Sequence, residues 1–217
     1  MPEGLSFDEL NKLYQQDHRG NMRSMPYEQY FGEMDLSQEQ IDRRIKTAKR
    51  VYDFTLPAII ALYYMIQEDG WGNYDEIAEE MKKSYSSYLE ELGISFTAFF
   101  MATHVEETVA DIIDATLRHP DEEFYFTIDR AILIAENEAN SIWNDSEFED
   151  ALTAGYTRKT WLTMQDKRVR STHREVEGVT IPISEYFQVG EALLLYPRMS
   201  CDHPEEIANC RCTLSFS

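Results

Sequence analysis

The hydrophobic period of this chain changes once, at Gly155. Upstream, apolar residues recur every three to four positions, as one face of a helix requires. Downstream, they alternate in twos, as a half-buried strand requires. A chain with both periods in that order predicts an α+β fold. A mainly helical body is expected over residues 1–155, followed by a small β-rich C-terminal domain over residues 156–217.

The body reads as a series of helices. Leu5, Leu10, Leu13 and Tyr14 suggest a short one over 5–19. Residues 20–32 read as a connector whose Tyr27, Tyr30 and Phe31 either dock a partner or pack back on the protein's own helices. Ser37-x-x-Gln40 is a capping-box pattern and predicts a long helix from Ser37, with Ile41, Ile45, Ala48 and Tyr52 inward. Arg43, Arg44, Lys46, Lys49 and Arg50 are then expected on the opposite face, and Pro57 is expected to kink or interrupt the helix. The run 58–66 is apolar all round and predicts the centre of the bundle. Asn73 and Glu76 predict a cap for the next helix, with Ile77, Met81, Tyr85, Tyr88 and Leu92 on one face and Gly93 ending it. Further helices are expected over 96–117, 127–143 and 146–153, with His119-Pro120-Asp121 as a break.

Past Gly155, three short strands are expected. They fall around Thr160–Met164, around Val176–Ile183 and over Cys212–Phe216. Residues 184–200 read as a loop with an apolar patch at Ala192–Tyr196.

The net charge of −20 is unevenly placed. Residues 157–217 hold eight Lys/Arg and eight Asp/Glu, which leaves 12 against 32 in residues 1–156. Such a body repels nucleic-acid phosphate and suits proteins with basic faces. Arg158, Lys159, Lys167, Arg168, Arg170 and Arg174 form the one block where DNA could be met; the other reading is a solvated rim. The start, Met-Pro-Glu-Gly, has neither the basic nor the apolar region of a secretory signal. The longest uncharged apolar run, 54–66, is shorter than the ~20 residues that span a bilayer, so no membrane role is expected. Three cysteines cannot all pair, which fits synthesis in a reducing cytoplasm.

All three cysteines and two of the five histidines lie in the C-terminal stretch. Cys210 and Cys212 with His173 and one of Cys201 or His203 would make four N/S ligands, the set a structural zinc takes. A metal would staple a domain with little core of its own. The other reading is packing of small thiols and a polar histidine with no metal. A hydrolytic reading would use His173 as base and Asp166 as its partner. No nucleophile elbow, phosphate loop or carboxylate pair supports it elsewhere.

Trp161, Asp166-x-Arg168, His173, Gly178, Phe187 and the terminal Asn209-Cys-Arg-Cys212 together resemble the C-terminal domain of phage minor head proteins, the phage Mu F-type head morphogenesis family. Many members carry two cysteines after the Asp-x-Arg, and a His-Pro directly before Asn-Cys-Arg-Cys. Here those cysteine positions hold Arg170 and His173, and His203-Pro204 is separated from Asn209 by Glu-Glu-Ile-Ala. The motifs cover about the last quarter of the chain, and Ile134-Ala135-Glu136 and Gly155 extend them upstream. The resemblance implies an assembly protein rather than an enzyme. Such proteins are made in the host cytoplasm, associate with the portal or other head proteins, enter the virion, and in some systems affect DNA exit. A metal- or His-dependent nuclease or hydrolase is the alternative.

Overall fold

The computed structural model describes residues 27–67 and 73–217. The expected helix over 5–19, residues 20–26 of the connector and residues 69–72 of the expected turn lie outside the described residues. The helices are α1 (Tyr27–Gly32), α2 (Gln38–Gln67), α3 (Tyr74–Leu92), α4 (Ala98–Arg118) and α5 (Ile128–Thr153). Then come β1 (Arg158–Leu162), α6 (Ser171–Glu175), β2 (Thr180–Pro182), β3 (Phe187–Val189), β4 (Ala192–Leu194), α7 (Pro204–Ile207) and β5 (Thr213–Phe216). The α+β class expected from the period change is the class observed.

Helix α2 starts as its capping box predicts: Gln40 N donates to Ser37 Oγ at 3.3 Å, and Ser37 N to Gln40 Oε1 at 3.0 Å. It runs through Pro57 without a break. Leu56 and 58–62 around the proline are buried, and that packing offsets the one lost backbone bond. The buried stripe is offset from the one expected. Ile41 and Ile45 are only half-buried, while Arg44, Thr47, Val51 and Thr55 are inside. Asn73 does cap α3, but without a side-chain bond. Gly93 ends α3 with φ +60, a left-handed cap that an L side chain adopts only under strain. The two helices expected over 127–143 and 146–153 are one, α5.

The chain packs as two compact units. The first holds residues 47–93 and 102–135 of the described chain. Ala58, Leu62, Met81, Val109, Ile112 and Ile113 form a buried cluster there, and Tyr88 donates to Thr47 Oγ1 at 2.9 Å. Arg130 is buried in it and donates to Thr116 Oγ1, Tyr125 O and Ile112 O.

The second unit holds residues 27–46, 94–101 and 136–217. Tyr27 and Phe31 of α1 are wholly buried, so the described aromatics of the connector pack inward. Thr97 caps α4 through its Oγ1 to Phe100 N, and Asp145 fixes Thr97 at 2.6 Å. The strands form an antiparallel sheet in the order β2-β1-β5, plus a β3-β4 hairpin. The hairpin corrects the loop expected over 184–200. Register Val189↔Ala192 leaves Gly190-Glu191 as a two-residue turn, and alternation buries Phe187, Val189, Ala192 and Leu194. Those four join Trp161, Cys210, Cys212 and Leu214 with Phe148 and Ala151 of α5 in one core.

Candidate metal centre

Three local structures bring the site together. After β1, Asp166 turns the chain by accepting from Arg168 N at 2.9 Å, which delivers α6 and, on it, His173. Before β5, Asn209 takes φ +54 and aims Cys210 and Cys212 inward. Asn140 and Asn144, one turn apart on α5, fix that segment from outside. Asn140 Nδ2 donates to Cys210 O at 3.2 Å and Asn144 Nδ2 to Cys212 O at 3.1 Å. The edge of Trp161 closes one side of His173, with ring centres 5.8 Å apart.

His173, Cys210 and Cys212 are buried, and their ligand atoms all lie within 4.8 Å of one another. His173 Nδ1 is 3.3 Å from Cys212 Sγ and 3.6 Å from Cys210 Sγ. With Zn–S and Zn–N legs of 2.0–2.3 Å, the N···S edge of a tetrahedron comes to about 3.5–3.6 Å. The spacing is therefore that of coordination as well as of a hydrogen bond to sulfur.

The other ring nitrogen decides which form of the histidine faces the thiols. His173 Nε2 lies 3.2 Å from Glu206 Oε2, which also accepts from Thr172 Oγ1 at 2.8 Å. With Nε2–H donating to this carboxylate, an Nδ1 that gives up its proton turns its lone pair toward both sulfurs, as coordination requires. One lone pair can accept from one thiol only, whereas a metal would serve all three atoms. The carboxylate behind the imidazole is also the usual second partner of a metal-bound histidine. Room for Glu206 comes from Gly190, where a Cβ would sit 2.2 Å from Glu206 Oε1.

The thiols differ in acidity. The hydrogen bond from Cys212, opposed by burial and aided by His173, holds Cys210 well below the usual thiol range. The same contact, with burial, pushes Cys212 up. Burial depresses the basicity of His173, but its contact with Cys210 outweighs that and raises it. A thiolate beside an imidazole is the state from which metal binding starts.

The structure does not bring the other two expected ligands into this group. Cys201 Sγ donates to His203 O at 3.5 Å, and His203 Nδ1 pairs with Glu205 Oε1 at 3.1 Å. Asp166 is not the partner of His173 either. It accepts from Arg211 at 2.5 Å and from Arg168 Nε at 3.3 Å, while Arg168 also reaches Glu33 at 2.8 Å. The carboxylate that does meet the imidazole, Glu206, went unseen in the sequence.

Trp161 and Phe187 stack edge to face at 5.2 Å in the core. Gly178 N donates to Trp161 O at 2.9 Å, and Asn209 Oδ1 accepts from Asn137 at 2.8 Å. The basic block is split. Lys159 is wholly buried and donates to Leu195 O at 2.7 Å, over the rings of Phe148 and Phe187, so the DNA contact expected there is corrected. Arg170 donates to Ala208 O. Arg158 and Arg174 are exposed and spend one Nη each on Thr180 O and Lys167 O, and Lys167 is exposed.

The family model of the phage Mu protein F like proteins matches residues 72–215, about two-thirds of the chain. The chain belongs to this family. The Asp166–Arg168–Arg211 network and the His173–Cys210–Cys212 group both lie within that match. A curated relative, the NAD(+)--arginine ADP-ribosyltransferase EFV of Enterococcus faecalis, is 33% identical over 97 residues. That match takes in 43% of this chain and 20% of the relative, so the chain spans about a fifth of that protein's length. No solved structure matches.

Proposed function

We propose that this Mu F-like protein is a minor head protein that associates with the portal or another inner-head component during assembly and DNA packaging or ejection. The family match over residues 72–215 carries this reading. It implies a role in head morphogenesis, a place in the virion and other head proteins as partners. The acidity of residues 1–156 supports docking on basic protein faces, and among the described residues no helix is long and apolar enough to cross a membrane. The protein then acts by assembly rather than catalysis. Manufacture in the host cytoplasm would keep Cys210 and Cys212 reduced, ready for a structural zinc. The remaining basic side chains Arg158, Lys167 and Arg174 are where packaged DNA would be touched.

Pull-down at low salt is expected to recover the portal or another head protein and to weaken as salt is added. Labelling in intact particles is expected to place the protein inside the head. Recovery of neither partner, with tight sequence-independent DNA binding instead, would sink this reading.

A hydrolytic reading draws on one observation, the Glu206–His173–thiol chain, which has the form of an acid–base relay. The cavity at that chain holds only about 20 Å³, too little for a nucleic-acid or peptide substrate. Incubation with supercoiled and linear DNA, with and without divalent metal, is expected to leave both intact. The ADP-ribosyltransferase activity in the relative's name stays with a protein four-fifths of which lies outside the match.

A further inference from the structure

We infer that a metal held by His173, Cys210 and Cys212 keeps a fourth coordination position for an exchangeable water or small anion, in the cavity the three ligands share. This rests on the metal reading above. Zinc takes four ligands; where the protein supplies three, a water takes the fourth place. Among the described His, Cys, Asp and Glu residues, the metal-sized group comprises these three alone. Cys201 and His203 are engaged with each other's segment and with Glu205. Glu206 approaches the far nitrogen of the imidazole and so stands behind the ligand, not beside the metal.

What adjoins the three ligand atoms instead is space. A cavity of about 20 Å³ is lined by His173, Cys210 and Cys212. A site of ~10–15 Å³ already admits one water, so beside the three ligands there is room for a water or for the donor atom of a small anion. The rest of its wall includes Arg168, Arg170 and Arg211. Two thiolates neutralise a divalent metal and the imidazole is neutral, so the centre carries no net charge toward the cavity. Arg168 and Arg211 are ion-paired with Asp166 and Glu33, whereas Arg170 spends one donor on the Ala208 carbonyl, so its guanidinium is the positive charge that favours an anion over water there. Exchange is simple substitution: the metal–oxygen bond to water breaks as the metal–anion bond forms.

The test uses the full chain loaded with cobalt(II) in place of zinc, followed by visible absorption during titration with azide. One cobalt per chain with tetrahedral ligand-field bands is expected, and azide is expected to shift those bands saturably. Bands that form but ignore azide overturn the open position and leave the metal reading standing. Absence of cobalt bands removes the metal reading, and this inference with it. Met164 also lines the cavity, so a Met164→Leu variant separates a thioether ligand from an open place. Its bands before azide are expected to match those of the parent; altered bands would mean that Met164 fills the position.

Discussion

Arg44 and Glu147, 103 residues apart, meet in a two-point fork, Nη1 to Oε1 at 2.8 Å and Nη2 to Oε2 at 2.9 Å. Arg44 is wholly buried. Its remaining donors reach Asn140 Oδ1 at 3.3 Å, Asn144 Oδ1 at 3.4 Å and Gln40 O at 3.4 Å. The same two asparagines give their Nδ2 protons to the carbonyls of Cys210 and Cys212. Accepting from the guanidinium at one end thus fixes which end of each amide faces the cysteines. A buried cation that looks purely structural thereby orients the backbone of the candidate metal centre.

Arg44→Met is therefore expected to leave Glu147 buried with only Arg43 and the Gln40 amide as partners, at a cost on the order of 3–5 kcal/mol. The penalty should depend on pH. Burial raises the Glu147 carboxyl, but Arg44 and Arg43 together outweigh it and hold it below the usual carboxylate range. The stability from this pairing is present above the ordinary glutamate pKa and is lost as pH falls through the lower folded value. Urea unfolding of parent and variant between pH 7 and pH 3 should show the gap closing toward acid. A constant gap would mean that the fork is not an ion pair.

Lys159 titrates with the opposite consequence. Burial lowers its ammonium to about 8, with Glu185 pulling weakly the other way. Below that value both folded and unfolded chains hold the proton, so there is no slope. Between about 8 and the ordinary 10.5 the unfolded chain binds a proton that the folded one does not, so stability rises with pH. Relative to Lys159→Met, the parent should gain on the order of 1 kcal/mol per pH unit in that window. Denaturation at pH 7.5, 8.5 and 9.5 checks it; a flat difference would place the ammonium in water.

How far the sequence could be read follows from where each residue's partner lies. Ser37 and Gln40 satisfy one another three residues apart, and Gly93 closes its own helix, so both were legible. Arg44 reads as surface because its partner lies more than a hundred residues away and no local pattern announces it. Glu206 sits in a four-residue helix, and only the fold brings it to His173. The hairpin is different: Gly190-Glu191 between Val189 and Ala192 is a local turn signal, hidden by strands only three residues long. His173, Cys210 and Cys212 stood out by residue type, whereas the choice between Cys201 and His203 needed distances.

Removing residues 156–217 tests the expected division of the chain. Residues 47–93 and 102–135 keep their own buried cluster, so a chain ending at Gly155 is expected to melt cooperatively and mostly as helix. It should do so at reduced stability. Phe148 and Ala151 lose the core they share with Trp161 and Phe187, at a cost on the order of 2–4 kcal/mol. Circular dichroism of that fragment decides: an unfolded spectrum would mean that the helical body depends on the tail.

The metal reading makes the sharpest demand on single residues. Cys210 and Cys212 lead directly into β5, a strand of four residues. Under coordination, elemental analysis should find about one zinc per chain, because three buried ligand atoms at these spacings hold one ion. Cys212→Ser should then abolish binding and loosen residues 157–217. Glu206→Gln keeps all three ligands but weakens the acceptor behind His173, so the stoichiometry should survive while affinity falls roughly 10- to 100-fold. Under packing alone, no metal appears, Glu206→Gln changes nothing in a metal assay, and Cys212→Ala costs only about 1 kcal/mol. Measuring zinc content and melting on the same three variants separates the two, since only coordination makes the order of the tail follow the ion.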